Sequence, residues 1–225
     1  MKLILLPGMD GTGDLFQPLL EQLPNSLDIE VIPLNSLEGN SYSEQINEIV
    51  TKLGNHPITL IAESYSGRIA YELARILRNQ VVQIIFIASF ITPPIFLCKI
   101  GQFLPKNAFN TRYLPRALLD YIGFSGFGDQ ELKNWISSVI QTVPSKTFHR
   151  RISNMANLSP PEEKLEVVTT YLRPTNDRLV EASAVKQLTK FLPKTNVINI
   201  EGGHFIAQTN PLICAQIIIN RVVGA

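Results

Sequence analysis

Along the chain, short apolar runs alternate with longer stretches in which apolar residues return every three or four positions. The runs KLILL (2–6), DIEVIPL (28–34), PITLIA (57–62), VVQIIFIAS (81–89), LEVVTTYL (165–172) and NVINI (196–200) predict strands. Several are apolar on both alternating sets of positions, as expected of strands buried between two helix layers. Helical spacing is predicted over 14–23, 42–53, 65–78, 180–191 and about 210–222. In SYSEQINEIVTKL, Ile46, Ile49, Val50 and Leu53 fall on one face, opposite the Glu and Lys residues. Strands alternating with helices predict an α/β fold, a parallel sheet of about six strands flanked by helices. Residues 92–160 break the rhythm: they are rich in Phe, Leu, Tyr, Pro and Gly and contain no clear buried strand. A loop that long needs its own structure or a function, so a mostly helical insertion is expected, and its apolar content favours a substrate-covering cap over a solvent-facing decoration.

Composition narrows the function classes. The 225 residues suit one α/β domain with a sizeable core. With 45% apolar and 17% charged residues and a net charge of +1, the chain suggests neither disorder nor a nucleic-acid surface. A small-molecule partner is expected. Cys98 and Cys214 lie in apolar segments outside any CxxC pair and read as reduced core thiols. The initial apolar run stops at Pro7-Gly8, short of a secretory signal's ~7–15-residue apolar region. No window approaches the roughly 18 apolar residues of a membrane span. The expected compartment is therefore the cytoplasm, without stable membrane insertion.

In a parallel sheet, reactive groups gather at the carboxyl ends of the strands. Ser64, in LIAESYSGRIA, lies between a predicted strand and a predicted helix. A nucleophile there sits on a tight turn whose positions two before and two after must be small, and Ala62 and Ser66 are small. Were Ser66 the nucleophile, Arg68 would have to fit that packing. The bland alternative for Ser64 is a helix cap. His56 falls at the wrong end of the sheet, and His149 lies in the basic run HRR, which reads as a solvated face. His204 follows the last strand in INIEGGHF, where Gly202-Gly203 permits a sharp turn over the sheet. As a base it needs an orienting carboxylate, and Asp177, after VVTTYLRPTN, is the candidate. Asp10 and Asp14 read as caps rather than metal ligands, because no His or Cys cluster accompanies them.

The chain order Ser64, Asp177, His204 resembles that of the α/β-hydrolases. LLPGMDGTG resembles their oxyanion loop, AESYSG the nucleophile elbow, YLRPTNDRLV the acid turn and EGGHF the histidine loop. The resemblance implies Ser64 as nucleophile, Asp177 as acid, His204 as base and the backbone N–H groups of Met9 and Tyr65 as the oxyanion hole, with no cofactor and no metal. Three departures accompany it. The family's first two strands are missing, Pro7 replaces the common His before the oxyanion-loop Gly, and the elbow lacks its glycines. The expected reaction is hydrolysis of a carboxylic ester with an apolar acyl group of modest length. Thioester hydrolysis or acyl transfer with the same residues is the alternative, with a carrier-linked substrate if the Arg150-Arg151 pair attracts a phosphate rather than forming a solvated basic turn. Glu63 is expected to bond neighbouring loops rather than substrate. From another class, a non-catalytic hydrolase-fold binding module would use the pocket only to hold a ligand.

Overall fold

Six strands form one parallel sheet: β1 (Lys2–Leu6), β2 (Ile29–Val31), β3 (Ile58–Glu63), β4 (Val81–Ile87), β5 (Val168–Pro174) and β6 (Thr195–Ile200). The spatial order is β2-β1-β3-β4-β5-β6. The computed structural model describes residues 1–94 and 116–223. Leu3, Ile4, Leu5 and Leu6 of β1 are buried, as are all six residues of β3. Their apolar runs are continuous because helices cover both faces. Ile4, Leu6, Leu60, Ile84 and Phe86 point into one core, Leu3, Leu5, Ile61, Ile85 and Ile87 into the other.

The strand order reverses direction between β1 and β3. The loops leaving these two neighbours diverge there and open the crevice in which open α/β sheets bind ligands. Leu6 pairs with Ala62, so the two strands end nearly level, and the loop after β1 lies beside the turn after β3.

Nine helices are present among the described residues: α1 (Gln17–Leu20), α2 (Tyr42–Lys52), α3 (Gly67–Ile76), α4 (Arg116–Leu119), α5 (Gln130–Thr142), α6 (Ser145–Ala156), α7 (Ala182–Phe191), α8 (Ile206–Thr209) and α9 (Pro211–Val223). Helix α2 starts at a capping box in which Ser41 and Glu44 satisfy each other's backbone N–H groups. Helices α4, α5 and α6 belong to the segment between β4 and β5. They rest on the carboxyl ends of the strands, where Leu119, Phe124, Ile136 and Val139 pack with Leu15 and Phe205. Part of the expected 92–160 insertion, including Cys98, lies outside the described residues.

Several element boundaries differ from the sequence expectation. The 14–23 helix is a 3-10 turn, Asp14–Phe16, followed by the short α1. Pro18 lacks the N–H that a continuous α-helix would bond to the Asp14 carbonyl. The 28–34 strand shrinks to Ile29–Val31, and the chain then makes a 3-10 turn at Leu34–Ser36 after Pro33. The 165–172 strand is shifted to Val168–Pro174: Leu165 bonds through its N–H to the Phe191 carbonyl instead, while Arg173 and Pro174 continue the pairing with β6. The 65–78 helix begins only at Gly67, because Ser64–Ser66 form a tighter 3-10 turn. The last helix is preceded by the separate turn α8.

Candidate active site

The turn after β3 places Ser64 in the left-handed region, with φ 47°. A β-carbon there costs roughly 1–2 kcal/mol, so the surroundings must hold the turn. They do so from three sides. Ser89 Oγ donates to the Ser64 carbonyl at 2.7 Å, and Tyr171 fixes Ser89 by accepting from its N–H and donating to its carbonyl. Ser66 Oγ donates to the Pro7 carbonyl, joining the turn to the loop after β1. Gly67 lets the start of α3 approach β4, since a β-carbon there would collide with Ser89 Oγ and the Phe90 carbonyl. The glycine this turn requires is therefore at 67, while Ala62 and Ser66 are fully buried without glycine's freedom.

Ser64 Oγ lies 2.9 Å from His204 Nε2, and His204 Nδ1 lies 2.9 Å from Asp177 Oδ2. The carboxylate can only accept, so Nδ1 carries the proton and Nε2 is left to accept from the serine hydroxyl. Asp177 is itself fixed: its Oδ1 accepts from the N–H groups of Leu179 and Val180 at 2.8 and 2.9 Å. Burial pushes the His204 pKa down, but the Asp177 charge and hydrogen bond outweigh it and Glu63 adds to them, so the net shift is upward from 6.5. Three elements from distant parts of the sequence, the ends of β3, β5 and β6, thus supply one hydrogen-bonded line.

The loop after β1 packs against this line. A β-carbon built on Gly8 would lie 3.6 Å from Ser64 Cβ. Five consecutive carbonyls of the loop are held. Pro7 accepts from Ser66 Oγ, Gly8 from Gly11 N–H, Met9 and Asp10 from Arg151 Nη1, and Gly11 from Asn35 N–H. Asp10 Oδ2 accepts from both the N–H and the hydroxyl of Thr12, closing the turn as a cap. Tyr65 is also braced: its ring stacks on Tyr42 with centroids 4.6 Å apart, its carbonyl accepts from Tyr42 Oη, and its hydroxyl accepts from Asn154 Nδ2.

Glu63 is buried behind Ser64, where its Oε1 accepts from Gln208 Nε2 at 2.9 Å and Oε2 lacks a partner. Burial pushes its pKa up to about 7 against the opposing Gln208 amide, with the Asp10 charge adding to the rise.

Ser64, Asp177 and His204 are thus brought together, with Tyr65 next to Ser64 and Met9 in the adjoining loop. His56 stands at the opposite end of β3. The Arg150-Arg151 pair is not a solvated basic turn. It lies on α6, and Arg151 is 1% exposed, turned inward onto the loop after β1. Sequence reasoning missed this residue because nothing local distinguishes a buried arginine from a surface one. The single available signal was the helical spacing that puts Arg151 on the same face as buried Ile152 and Met155. Cys214 is a buried free thiol, its pKa pushed up by burial to about 12. Among the described residues, no group of three or more His, Cys, Asp or Glu side chains could hold a metal ion, and no helix is long and apolar enough to cross a membrane.

No protein-family model and no curated protein matches the chain. Solved structures do. A thermophilic esterase from Thermogutta terrifontis superposes with a TM-score of 0.77 at 16% identity, over 100% of this chain and 90% of the other. An α/β-hydrolase fold protein from Chitinophaga pinensis gives 0.75 at 15% identity, over 99% and 89%. The RedJ thioesterase from the prodiginine biosynthetic pathway in Streptomyces coelicolor gives 0.73 at 14% identity, over 97% and 88%. With its sheet order and these full-length superpositions, the chain has the α/β-hydrolase fold.

Proposed function

We propose that this protein is a serine hydrolase that cleaves a carboxylic ester with an apolar acyl group through an acyl-enzyme on Ser64. The observation that carries this reading is the line Asp177 Oδ2, His204 Nδ1, His204 Nε2, Ser64 Oγ, with 2.9 Å at each end and Ser64 held in a left-handed turn. A helix cap needs neither the imidazole nor the strained backbone, and a passive binding module has no use for a base aimed at a hydroxyl. The esterases and the thioesterase among the structural neighbours agree with it.

In the proposed reaction His204 Nε2 takes the Ser64 proton as Oγ attacks the ester carbonyl, and Asp177 stabilises the imidazolium. The N–H groups of Met9 and Tyr65 donate to the developing oxyanion. The carbonyls on either side of the Met9 N–H are tied back, so the donor needs little reorganisation. As the C–O bond breaks, His204 returns its proton to the leaving alcohol. It then deprotonates a water that attacks the acyl-enzyme, releasing the carboxylic acid and regenerating Ser64.

In this proposal residues 92–160 form the cap of a single domain. Leu119, Phe124 and Phe205 supply an apolar wall next to His204, which suits an apolar acyl group. A thioester could use the same line of residues, as the RedJ neighbour suggests. Arg151 is committed to loop carbonyls and does not offer its guanidinium to a phosphate-bearing carrier.

The test is turnover of p-nitrophenyl esters from acetate to octanoate and of matched thioesters, comparing wild type with Ser64→Ala. Ester hydrolysis that peaks at intermediate chain length and vanishes in Ser64→Ala supports the reading. Preference for thioesters replaces its substrate class, and turnover that persists in Ser64→Ala overturns it.

A further inference from the structure

We infer that Arg151, on an inserted helix, is a positioning residue that holds both oxyanion-hole residues at once and so couples the cap to the transition state. The inference rests on the proposed hydrolase reading.

The geometry is specific. Arg151 Nη1 donates to the Met9 carbonyl at 2.8 Å and to the Asp10 carbonyl at 2.9 Å, and Nη2 donates to Asn35 Oδ1 at 2.7 Å. Asn35 closes the bracket, since its Nδ2 donates to the Asp10 carbonyl and its N–H to that of Gly11. The same guanidinium lies 6.0 Å from the Tyr65 ring centroid. One turn further along α6, Asn154 donates to the Tyr65 hydroxyl and the Asn40 carbonyl. A single helix face therefore reaches the residues on both sides of the proposed oxyanion. Gly11 makes room for it: with φ +67°, it stands where any β-carbon would collide with the guanidinium.

This arrangement is a poor way to gain stability alone. Arg151 makes no ion pair among the described residues; carbonyl oxygens meet its charge, and Nε has no partner. Burial lowers its pKa, with Tyr65 and Asp10 acting in the opposite direction. A buried charge without a contacting counter-charge carries a desolvation cost that hydrogen bonds to neutral acceptors must offset. What an apolar side chain cannot do is fix two successive carbonyls and thereby the planes of the two peptides that follow the one carrying the Met9 N–H. The charge also has the sign that favours an oxyanion.

The experiment compares wild type, Arg151→Met, Arg151→Lys and Asn35→Ala for kcat and KM on a p-nitrophenyl ester, inhibition by an alkylboronic acid as tetrahedral analogue, and Tm. Fluorophosphonate titration of wild-type Ser64 serves as the control on the hydrolase reading, and the same titration counts folded sites in each variant. Misplacing a donor by about 1 Å costs up to roughly 10²-fold. Arg151→Met should thus lose roughly 10- to 100-fold in kcat per titrated site, with KM within about twofold and boronate affinity falling in parallel. Arg151→Lys should recover part of the loss, and Asn35→Ala should show a smaller loss of the same kind. If Arg151→Met does not fold, the Lys and Asn35→Ala variants carry the same comparison. Wild-type titration with unchanged kcat and boronate affinity per site in the variants overturns the inference while leaving the hydrolase reading intact. Failure of the wild type to titrate overturns both.

Discussion

Ser64, Asp177 and His204 stand on the ends of β3, β5 and β6, whereas Met9 and Tyr65 are held by side chains reaching in from α2, α6 and the turn after β2. The first group inherits its geometry from strand pairing: once β3, β4, β5 and β6 are in register, the three loops have one place to meet. The second depends on contacts far apart in sequence, with 142 residues separating Arg151 from Met9. Chemistry built on strand ends can be expected to tolerate change elsewhere in the chain. The proposed oxyanion donors, held by a clamped loop and turn, are exposed to changes in the insertion.

Asp177→Asn attacks the first group with the largest expected effect. Its Oδ1 can still accept from Leu179 and Val180, so the fold should survive, but an amide facing His204 Nδ1 favours the wrong tautomer. Turnover should fall by roughly 10⁴ with Tm changed by only a few degrees. An equal loss from Arg151→Met would contradict the distinction between the groups.

Ser66→Ala probes the strut between them. Its hydroxyl ties the elbow to the Pro7 carbonyl, and alanine keeps the turn small while releasing the loop. A loss of roughly 3- to 10-fold in kcat with unchanged KM is expected. Chromogenic ester kinetics would reveal it, and a loss confined to KM would argue against a role in holding the loop.

Glu63→Gln gives the smallest effect on rate and a distinct effect on pH dependence. Wild-type kcat/KM should rise with pH through an inflection above 6.5, because the proposed base His204 acts only when neutral and its pKa is raised. Glu63 contributes to that rise, so the variant's inflection should move to lower pH. Folded Glu63 holds its proton up to about pH 7, whereas unfolded Glu63 releases it near 4.5. The native state therefore binds more protons between those values, and stability falls as pH rises across them. Above pH 7 the full penalty, on the order of 3 kcal/mol, is present. Glu63→Gln should raise Tm by a few degrees at pH 8 and not at pH 4.5, as thermal melts at the two pH values would show.

This division also sets what could be read from the sequence. Strand runs were legible because burial on both faces leaves continuous apolar stretches, and strand ends then bring Ser64, Asp177 and His204 to one edge. Boundaries failed where a local constraint overrode periodicity, as at Pro18 and Pro33. The elbow's substituted glycines became intelligible only in three dimensions, where Ser66 is a strut and Gly67 is the residue that must lack a side chain. Arg151 stayed hidden because its meaning lies in carbonyls that no spacing connects to it. Pro7 could be seen to alter the support of the loop, but the replacement support from Arg151 and Asn35 could not.

The central claim is that Ser64 is a nucleophile activated by His204. Intact-mass measurement after incubation with a fluorophosphonate, followed by peptide mapping, tests it most directly. The prediction is one adduct per chain on Ser64, absent in Ser64→Ala and slowed by orders of magnitude in His204→Ala. An unlabelled wild type, or labelling that persists unchanged in Ser64→Ala, would contradict it.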